Sequence, residues 1–91
     1  MVLKKIQANL GSALDIPKDV LMDVPKITMV GDVQIWIENH TGIIEYNAER
    51  VRVNSTLGVI TVEGNNLVLV ELLPTEIKLE GKLQQIKFGE E

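Results

Sequence analysis

From residue 26 onward, apolar and polar side chains alternate along most of this chain. The clearest example is KITMVGDVQIWIE, residues 26–38, in which apolar residues recur at every second position on either side of Gly31-Asp32. A period of two residues is typical of a strand with one buried face. Gly31-Asp32 has the length and composition of a two-residue hairpin turn. This stretch therefore predicts a β-hairpin.

The same alternation continues to residue 88, interrupted by Gly, Asn and Pro. It predicts strands at about 26–31, 33–39, 43–46, 50–54, 59–63, 67–73 and along 76–88. Gly64-Asn65-Asn66 is a strong turn signal because Gly and Asn tolerate positive φ. The fold class that follows is mainly β: an N-terminal helix, then a compact antiparallel β-meander or sandwich of seven or eight short strands.

Two segments depart from simple alternation. Residues 67–73 are apolar on both faces apart from Glu71, which predicts a central strand covered on both sides. Leu83 is at an odd-numbered position, whereas Ile86 and Phe88 are at even-numbered ones, so one regular strand would place them on opposite faces. We therefore expect a bulge or break at Gln84-Gln85. Glu63-Gly64 and Glu80-Gly81 form a faint repeat that hints at stacked β-arcs, although a meander is the simpler account.

The N-terminal segment has a different period. Residues 2–14 place Leu3, Ile6, Leu10 and Leu14 on one stripe, as in an amphipathic helix. This helix either docks on the sheet or, with Lys4 and Lys5, anchors to a membrane surface. Pro25 pushes the preceding backbone into extended geometry. The predicted division is therefore a helical segment over 1–24 and a β-domain over 25–88.

Charge and composition narrow the class of function. The net charge is −4; residues 1–26 carry four lysines and three aspartates, and residues 27–91 carry five basic and ten acidic side chains. An acidic body argues against binding nucleic acid through phosphates. Without cysteine there is no thiolate metal site, and without a secretion signal we expect a cytoplasmic protein with at most peripheral membrane contact.

Candidate chemistry is sparse. His40 is the sole histidine and is expected to be a surface or capping side chain, because no second His or Cys completes a metal site. Arg50 and Arg52 share a strand face and are expected to pair with Glu49 and nearby acids. No catalytic, metal-binding or cofactor-binding residue is predicted, so we expect no cofactor and no enzymatic activity.

Four apolar residues are candidate contacts for a partner. They lie opposite the main apolar rows of their strands: Trp36, Val59, Val68 and Val70. Either the N-terminal helix covers Trp36 or a partner protein does. Val68 and Val70 belong to an excess apolar face that one short helix is not expected to cover.

Four pieces of the chain together resemble the YabP/YqfC family of endospore-forming Firmicutes, and its YqfC branch in particular. They are PKDVLMDVP at 17–25, KITMVG at 26–31, IWIENH at 35–40 and IKLEG at 77–81. Trp36 stands where tyrosine is expected in that family, and Val24 where leucine is expected. The resemblance implies a small sporulation protein of the mother cell, associated with a membrane protein partner of the YqfD type.

Pattern and resemblance together predict a non-enzymatic accessory or assembly protein of endospore formation. It would act through protein–protein contacts with that membrane partner or with a second copy of itself. The alternative is a small binding module for a lipid surface or a small ligand.

Overall fold

The computed structural model describes residues 22–89. Within this range the chain forms six strands of one antiparallel sheet. Their bounds are β1 Lys26–Val30, β2 Gln34–Glu38, β3 Gly42–Tyr46, β4 Arg50–Ser55, β5 Gly58–Leu73 and β6 Glu76–Phe88. Their order across the sheet is β1-β2-β6-β5-β4-β3. The two long strands, β5 and β6, therefore form the central hairpin to which both short hairpins attach.

The central hairpin is shared between two layers. β2 pairs with the first part of β6, over Glu76–Glu80, while β4 pairs with the first part of β5, over Gly58–Glu63. The first layer therefore contains β1, β2, the start of β6 and the end of β5. The second layer contains β3, β4, the start of β5 and the end of β6.

Two glycines allow the central strands to bend between the layers. A Cβ on Gly64 would overlap the carbonyl oxygen of Lys82, and one on Gly81 would lie 2.6 Å from the carbonyl oxygen of Asn66. Each short hairpin binds one of these corners: Gly64 N–H donates to Glu49 O at 3.0 Å and Gly81 N–H to Val33 O at 3.1 Å. The Glu-Gly repeat in the sequence thus marks two corners of one bent hairpin.

The core lies between the layers and is aliphatic. Alternation on β2 and β4 buries Ile35 and Ile37 from one layer and Val51 and Val53 from the other. The buried cluster comprises Ile35, Ile37, Val51, Val53, Ile60, Val62, Leu67, Ile77, Leu79 and Leu83. Each such side chain contributes roughly 1.5–3 kcal/mol relative to an exposed one, so burial between the layers is the main stabilising term.

The structure confirms a mainly antiparallel β fold but corrects its strand count. The predicted turn at 64–66 lies inside β5, and Gly81 lies inside β6, so the described residues form six strands rather than seven or eight. The bulge expected at Gln84-Gln85 is confirmed, because Glu63 pairs with Gln85 and Gly64 with Leu83, which leaves Gln84 as the extra residue. The predicted helix over 2–14 lies outside the described residues.

The prediction that 67–73 is a central covered strand is wrong. β4 pairs with β5 only as far as Glu63, so the end of β5 is an edge of the first layer. Its side chains remain about half exposed: Val68 at 51%, Val70 at 45%, Leu72 at 59% and Leu73 at 44%. The reason is the bend, which carries this part of β5 away from the strand beside its first half.

Candidate interaction surface

The end of β5 and the edge strand β3 lie next to one another on the same side of the molecule. Leu69 N–H donates to the Tyr46 hydroxyl at 3.1 Å. Further along, an open depression of about 410 Å³ separates His40, Gly42 and Ile43 from Leu72, Leu73 and Pro74. Two strands from different layers therefore flank one groove.

The two strands that flank this groove carry most of the large exposed apolar side chains among residues 22–89. Seven of the thirteen large hydrophobic residues exposed there belong to β3 or the end of β5. We call them the edge surface: Ile43, Ile44, Tyr46, Val68, Val70, Leu72 and Leu73. Large apolar side chains left exposed on neighbouring strands often mark an interaction site.

Local irregularities shape the edge surface. The β3–β4 register shifts between Ile43 and Glu45, and the β5–β6 register shifts between Leu69 and Glu71. The second shift makes Val70 an extra residue and brings Leu72 opposite buried Ile77. Leu72 therefore lies on the inner face, on the side opposite to Val68, because the bulge reverses the alternation.

The backbone of the end of β5 also offers an unpaired edge. Leu67 N–H donates to Ala48 O at 2.8 Å and Leu69 N–H to Tyr46, but no described residue pairs with this edge beyond Leu69. Edge strands are usually protected by charges or prolines within them. Val68–Leu73 contains one charge, Glu71, so the strand is chemically suited to adding another strand.

His40 is buried beside this groove, at 3% exposure, and not at the surface as expected. The capping half of the prediction is confirmed: Nδ1 accepts the Gly42 N–H at 3.0 Å, while the His40 N–H donates to Thr75 O. Burial lowers the pKa of His40 below its ordinary value. Nδ1 is an acceptor, so Nε2 is assigned the proton, and this buried donor has no partner among the described residues.

The charged side chains of the second layer neutralise one another on its outer face. Glu45 lies 3.4 Å from Arg52 and 3.9 Å from Arg50, and Glu63 lies 3.5 Å from Arg50 and 3.8 Å from Lys87. The expected pairing of Arg50 and Arg52 with nearby acids is confirmed, with Glu45 and Glu63 as the partners seen.

Another ion pair lies at the β1–β2 turn, at the end of the sheet where the central hairpin bends. A hydrogen bond and the charge of Lys82 hold the pKa of Asp32 below its ordinary value. Both side chains are more than half exposed, so this pair is a solvated feature of the turn.

The four residues predicted as partner contacts do not form one cluster. Val68 and Val70 belong to the edge surface. Trp36 shares the outer face of the first layer with Val68 but lies two strands away, half-buried, with the Lys78 ammonium 5.3 Å from its ring centre. Val59 precedes buried Ile60 and lies on the outer face of the other layer.

The contribution of β3 to the edge surface was missed in the sequence. The signal was present as two adjacent apolar residues, Ile43 and Ile44, followed by Tyr46. A short strand that is apolar on both faces can leave apolar side chains exposed for a contact outside the sheet. Nothing in the local pattern indicated that its second face would lie beside the end of β5, because that neighbour is distant in sequence.

Comparison with known proteins places this fold in a family. The YabP family model matches residues 23–91, which includes every strand described above. The chain belongs to the YabP family. It is also 42% identical over 86 residues to the uncharacterized protein YqfC of Bacillus subtilis (strain 168), covering 94% of this chain and 92% of that protein. No solved structure matches it.

Between residues 22 and 89 no helix has the length and apolar character needed to cross a membrane. The same residues contain no group of three or more His, Asp and Glu side chains that could hold a metal ion. The exposed apolar side chains of β3 and the end of β5 make the edge surface the candidate site of this YabP family member.

Proposed function

We propose that this YabP family protein is a non-enzymatic accessory or assembly protein of endospore formation that acts by binding another protein through the edge surface. Its partner is a membrane protein of the YqfD type, which the family resemblance implies. It acts in the mother-cell cytoplasm, at the membrane where that partner resides. The observation that carries the proposal is the exposed, apolar and unpaired end of β5.

The energetics of the surface suit association. Val68, Val70, Leu72 and Leu73 are each about half exposed. Completing their burial would contribute roughly 1 kcal/mol each, half of the value for a fully buried aliphatic side chain. Strand addition along β5 adds backbone hydrogen bonds at about 1 kcal/mol each. These gains offset much of the entropy lost on association, which makes a specific contact feasible.

The chemistry of the only histidine supports a binding role over a catalytic one. His40 is buried and held neutral, and its Nδ1 is occupied by the Gly42 N–H. A general acid or base must reach its substrate and titrate near the working pH. Burial separates the His40 side chain from a substrate in solvent, and its hydrogen bond serves the turn that leads into β3.

The test measures binding of the full chain to the soluble part of the membrane partner by titration calorimetry. Val68→Glu and Val70→Glu should each weaken binding at least about tenfold, because a buried carboxylate without a partner is strongly unfavourable. Val33→Glu is the matched control: Val33 is 52% exposed, against 51% for Val68, but lies in the β1–β2 turn away from the edge surface. It should bind as the wild type does.

The outcomes separate the alternatives. Wild-type affinity in both β5 variants, with far-UV dichroism showing that they are folded, would refute the proposal. Binding of the wild type to protein-free liposomes, lost in Val70→Glu and kept in Val33→Glu, would assign the edge surface to a lipid instead.

A further inference from the structure

The end of β5 and strand β3 separate step by step along the groove between them. Near the corner, Leu67 N–H donates directly to Ala48 O in the β3–β4 turn at 2.8 Å. Two residues further along β5, the whole Tyr46 side chain spans the gap to reach Leu69 N–H. Two strands that flank a third lie about 9.5 Å apart, which is about the reach of a tyrosine and its hydrogen bond. The gap beyond Leu69 therefore has the width of one missing strand.

This gap is bounded at both ends. Beyond Leu69 no hydrogen bond among residues 22–89 joins β3 to β5. The gap ends at His40, whose backbone N–H donates to Thr75 O at 3.1 Å and so ties the connection before β3 to the β5–β6 turn. We call the part between the Tyr46–Leu69 hydrogen bond and His40 the open groove. Residues 70–73 flank it over about 13 Å, the length of about four extended residues.

The backbone of Leu72 points into the open groove. Leu69 N–H reaches Tyr46, so it points away from β6. The partner of Leu69 on β6 is Leu79, and the partner of Leu72 lies two residues further along this regular part of β6. Antiparallel pairs alternate between those that exchange hydrogen bonds and those that do not, so both pairs are of the second kind. The N–H and C=O of Leu72 therefore also point away from β6.

The backbone of Ile43 points into the same groove from the other side. Asn47 N–H donates to Arg50 O on β4, so the N–H of Tyr46, which precedes it, points away from β4. Ile43 is opposite a β4 residue two positions from the one opposite Tyr46. Its N–H and C=O therefore point the same way as those of Tyr46. The open groove thus has main-chain donors and acceptors on both of its walls.

The inner side of the open groove is apolar. Leu72 is opposite buried Ile77 and Ile43 is opposite buried Val53, so both side chains lie on inner faces. They nevertheless remain 59% and 37% exposed, because the layers are open along this side. No charged side chain lines the depression here, which is formed by His40, Gly42, Ile43, Leu72, Leu73 and Pro74. A side chain turned inward at this point must therefore be apolar and uncharged.

His40 adds one polar requirement. It lines the depression, and its buried Nε2 donor has no acceptor among the described residues. A buried donor without an acceptor is unfavourable, and a main-chain carbonyl entering the depression would satisfy it. Because Nε2 is shielded from solvent, we expect entry to displace a lining side chain. Leu72 is the most exposed of the large ones.

We infer that a partner inserts one short extended segment into the open groove, where it pairs with Leu72 on one wall and with Ile43 on the other. The segment has about four residues and turns a large, uncharged apolar side chain inward. One of its carbonyl oxygens accepts the His40 Nε2 proton. This inference rests on the proposed function and adds the chemistry of the segment that the partner presents.

The first test uses the full chain and a synthetic probe. A capped pentapeptide of alternating threonine and valine should slow amide hydrogen exchange at both Leu72 and Ile43 at least about fivefold. It should also shift the ring ¹⁵N signals of His40, which are unambiguous because the chain has one histidine. The amide of Leu67, already bonded to Ala48, is the internal reference and should not change.

The control peptide has aspartate in place of each valine and should produce none of these changes. Slower exchange at Leu72 alone would show addition at one edge and would overturn two-sided insertion. Slow exchange at both amides before any peptide is added would show that the groove is already filled, and would also overturn it.

The second test separates this inference from the proposed function. Leu72→Asp places a charge on the inner face of the groove and should weaken peptide binding at least about tenfold. Val68→Asp is the matched control, because Val68 is similarly exposed but lies on the outer face, opposite Glu80. It should bind the peptide as the wild type does. Equal losses in the two folded variants would overturn the inference, whatever Val70→Glu does to binding of the membrane partner.

Discussion

The corner at Gly64 provides the sharpest test of how the layers are built. We predict that Gly64→Ala destabilises the domain far more than a glycine replacement usually does. The added methyl group would overlap the carbonyl oxygen of Lys82 on the neighbouring strand. That oxygen is backbone, so relief requires β5 and β6 to separate where they bend.

The magnitude follows from what the separation disrupts. Overpacking at a buried position costs about 1–3 kcal/mol. The corner also holds two backbone hydrogen bonds to the β3–β4 turn, from Gly64 N–H to Glu49 O and from Leu67 N–H to Ala48 O. Each contributes about 1 kcal/mol net. Alanine returns about 0.4–1 kcal/mol by restricting the unfolded chain. We therefore expect a loss of roughly 3 kcal/mol.

Gly31→Ala is the matched control. Gly31 has φ +51°, but a Cβ there meets no atom within 4 Å. It should cost only the left-handed backbone penalty of about 1–2 kcal/mol, less the same gain from the unfolded chain. Urea denaturation followed by the fluorescence of Trp36 and by far-UV dichroism measures both variants. If Gly64→Ala costs no more than Gly31→Ala, the account of the corner is wrong.

Two further predictions concern the core and the buried histidine. Ile35→Ala should lower the free energy of unfolding by about 2–5 kcal/mol. Ile44→Ala makes the same change at a residue that is 44% exposed, and it should lower the free energy of unfolding by less than about 1 kcal/mol. Similar losses in the two variants would contradict the assigned core. Because burial lowers the pKa of His40, the unfolded chain binds its proton more readily, and the free energy of unfolding should fall as the pH drops from 7 through 6.5 toward 5. The slope cannot exceed about 1.4 kcal/mol per pH unit for one proton. His40→Gln should flatten this dependence, and an unchanged slope in that variant would contradict the assignment.

The local pattern of the sequence determined the mainly β class and most strand positions. Ile35 and Ile37, like Val51 and Val53, alternate with polar neighbours, and a pleated strand puts alternate residues on opposite faces whatever its neighbours are. The bulge at Gln84 was predictable for the same reason, since Leu83 and Ile86 cannot face one side of a regular strand. The face on which a strand residue lies is set by the local backbone geometry, so it can be predicted from the sequence.

Strand neighbours were decided only by the tertiary structure. Residues 67–73 have the composition of a central strand, yet the bend places them at an edge, because β4 follows only the first half of β5. A Gly-Asn pair permits both a turn and a corner, and the choice at Gly64 depends on Lys82 and Glu49, both far from the turn in sequence. His40 was expected at the surface because turns usually lie there, but contacts with other segments bury it.

The candidate site depends on both levels. Val68 and Val70 were recognisable from the sequence as an excess apolar face, because they alternate with Leu67 and Leu69 and therefore face the other side of the strand. That β3 would lie beside them could not be read from the chain, since Tyr46 and Leu69 are joined by a hydrogen bond across 23 residues. The sequence thus determined which side chains are apolar and how they alternate, and the folding of the central hairpin decided which of them remain exposed together.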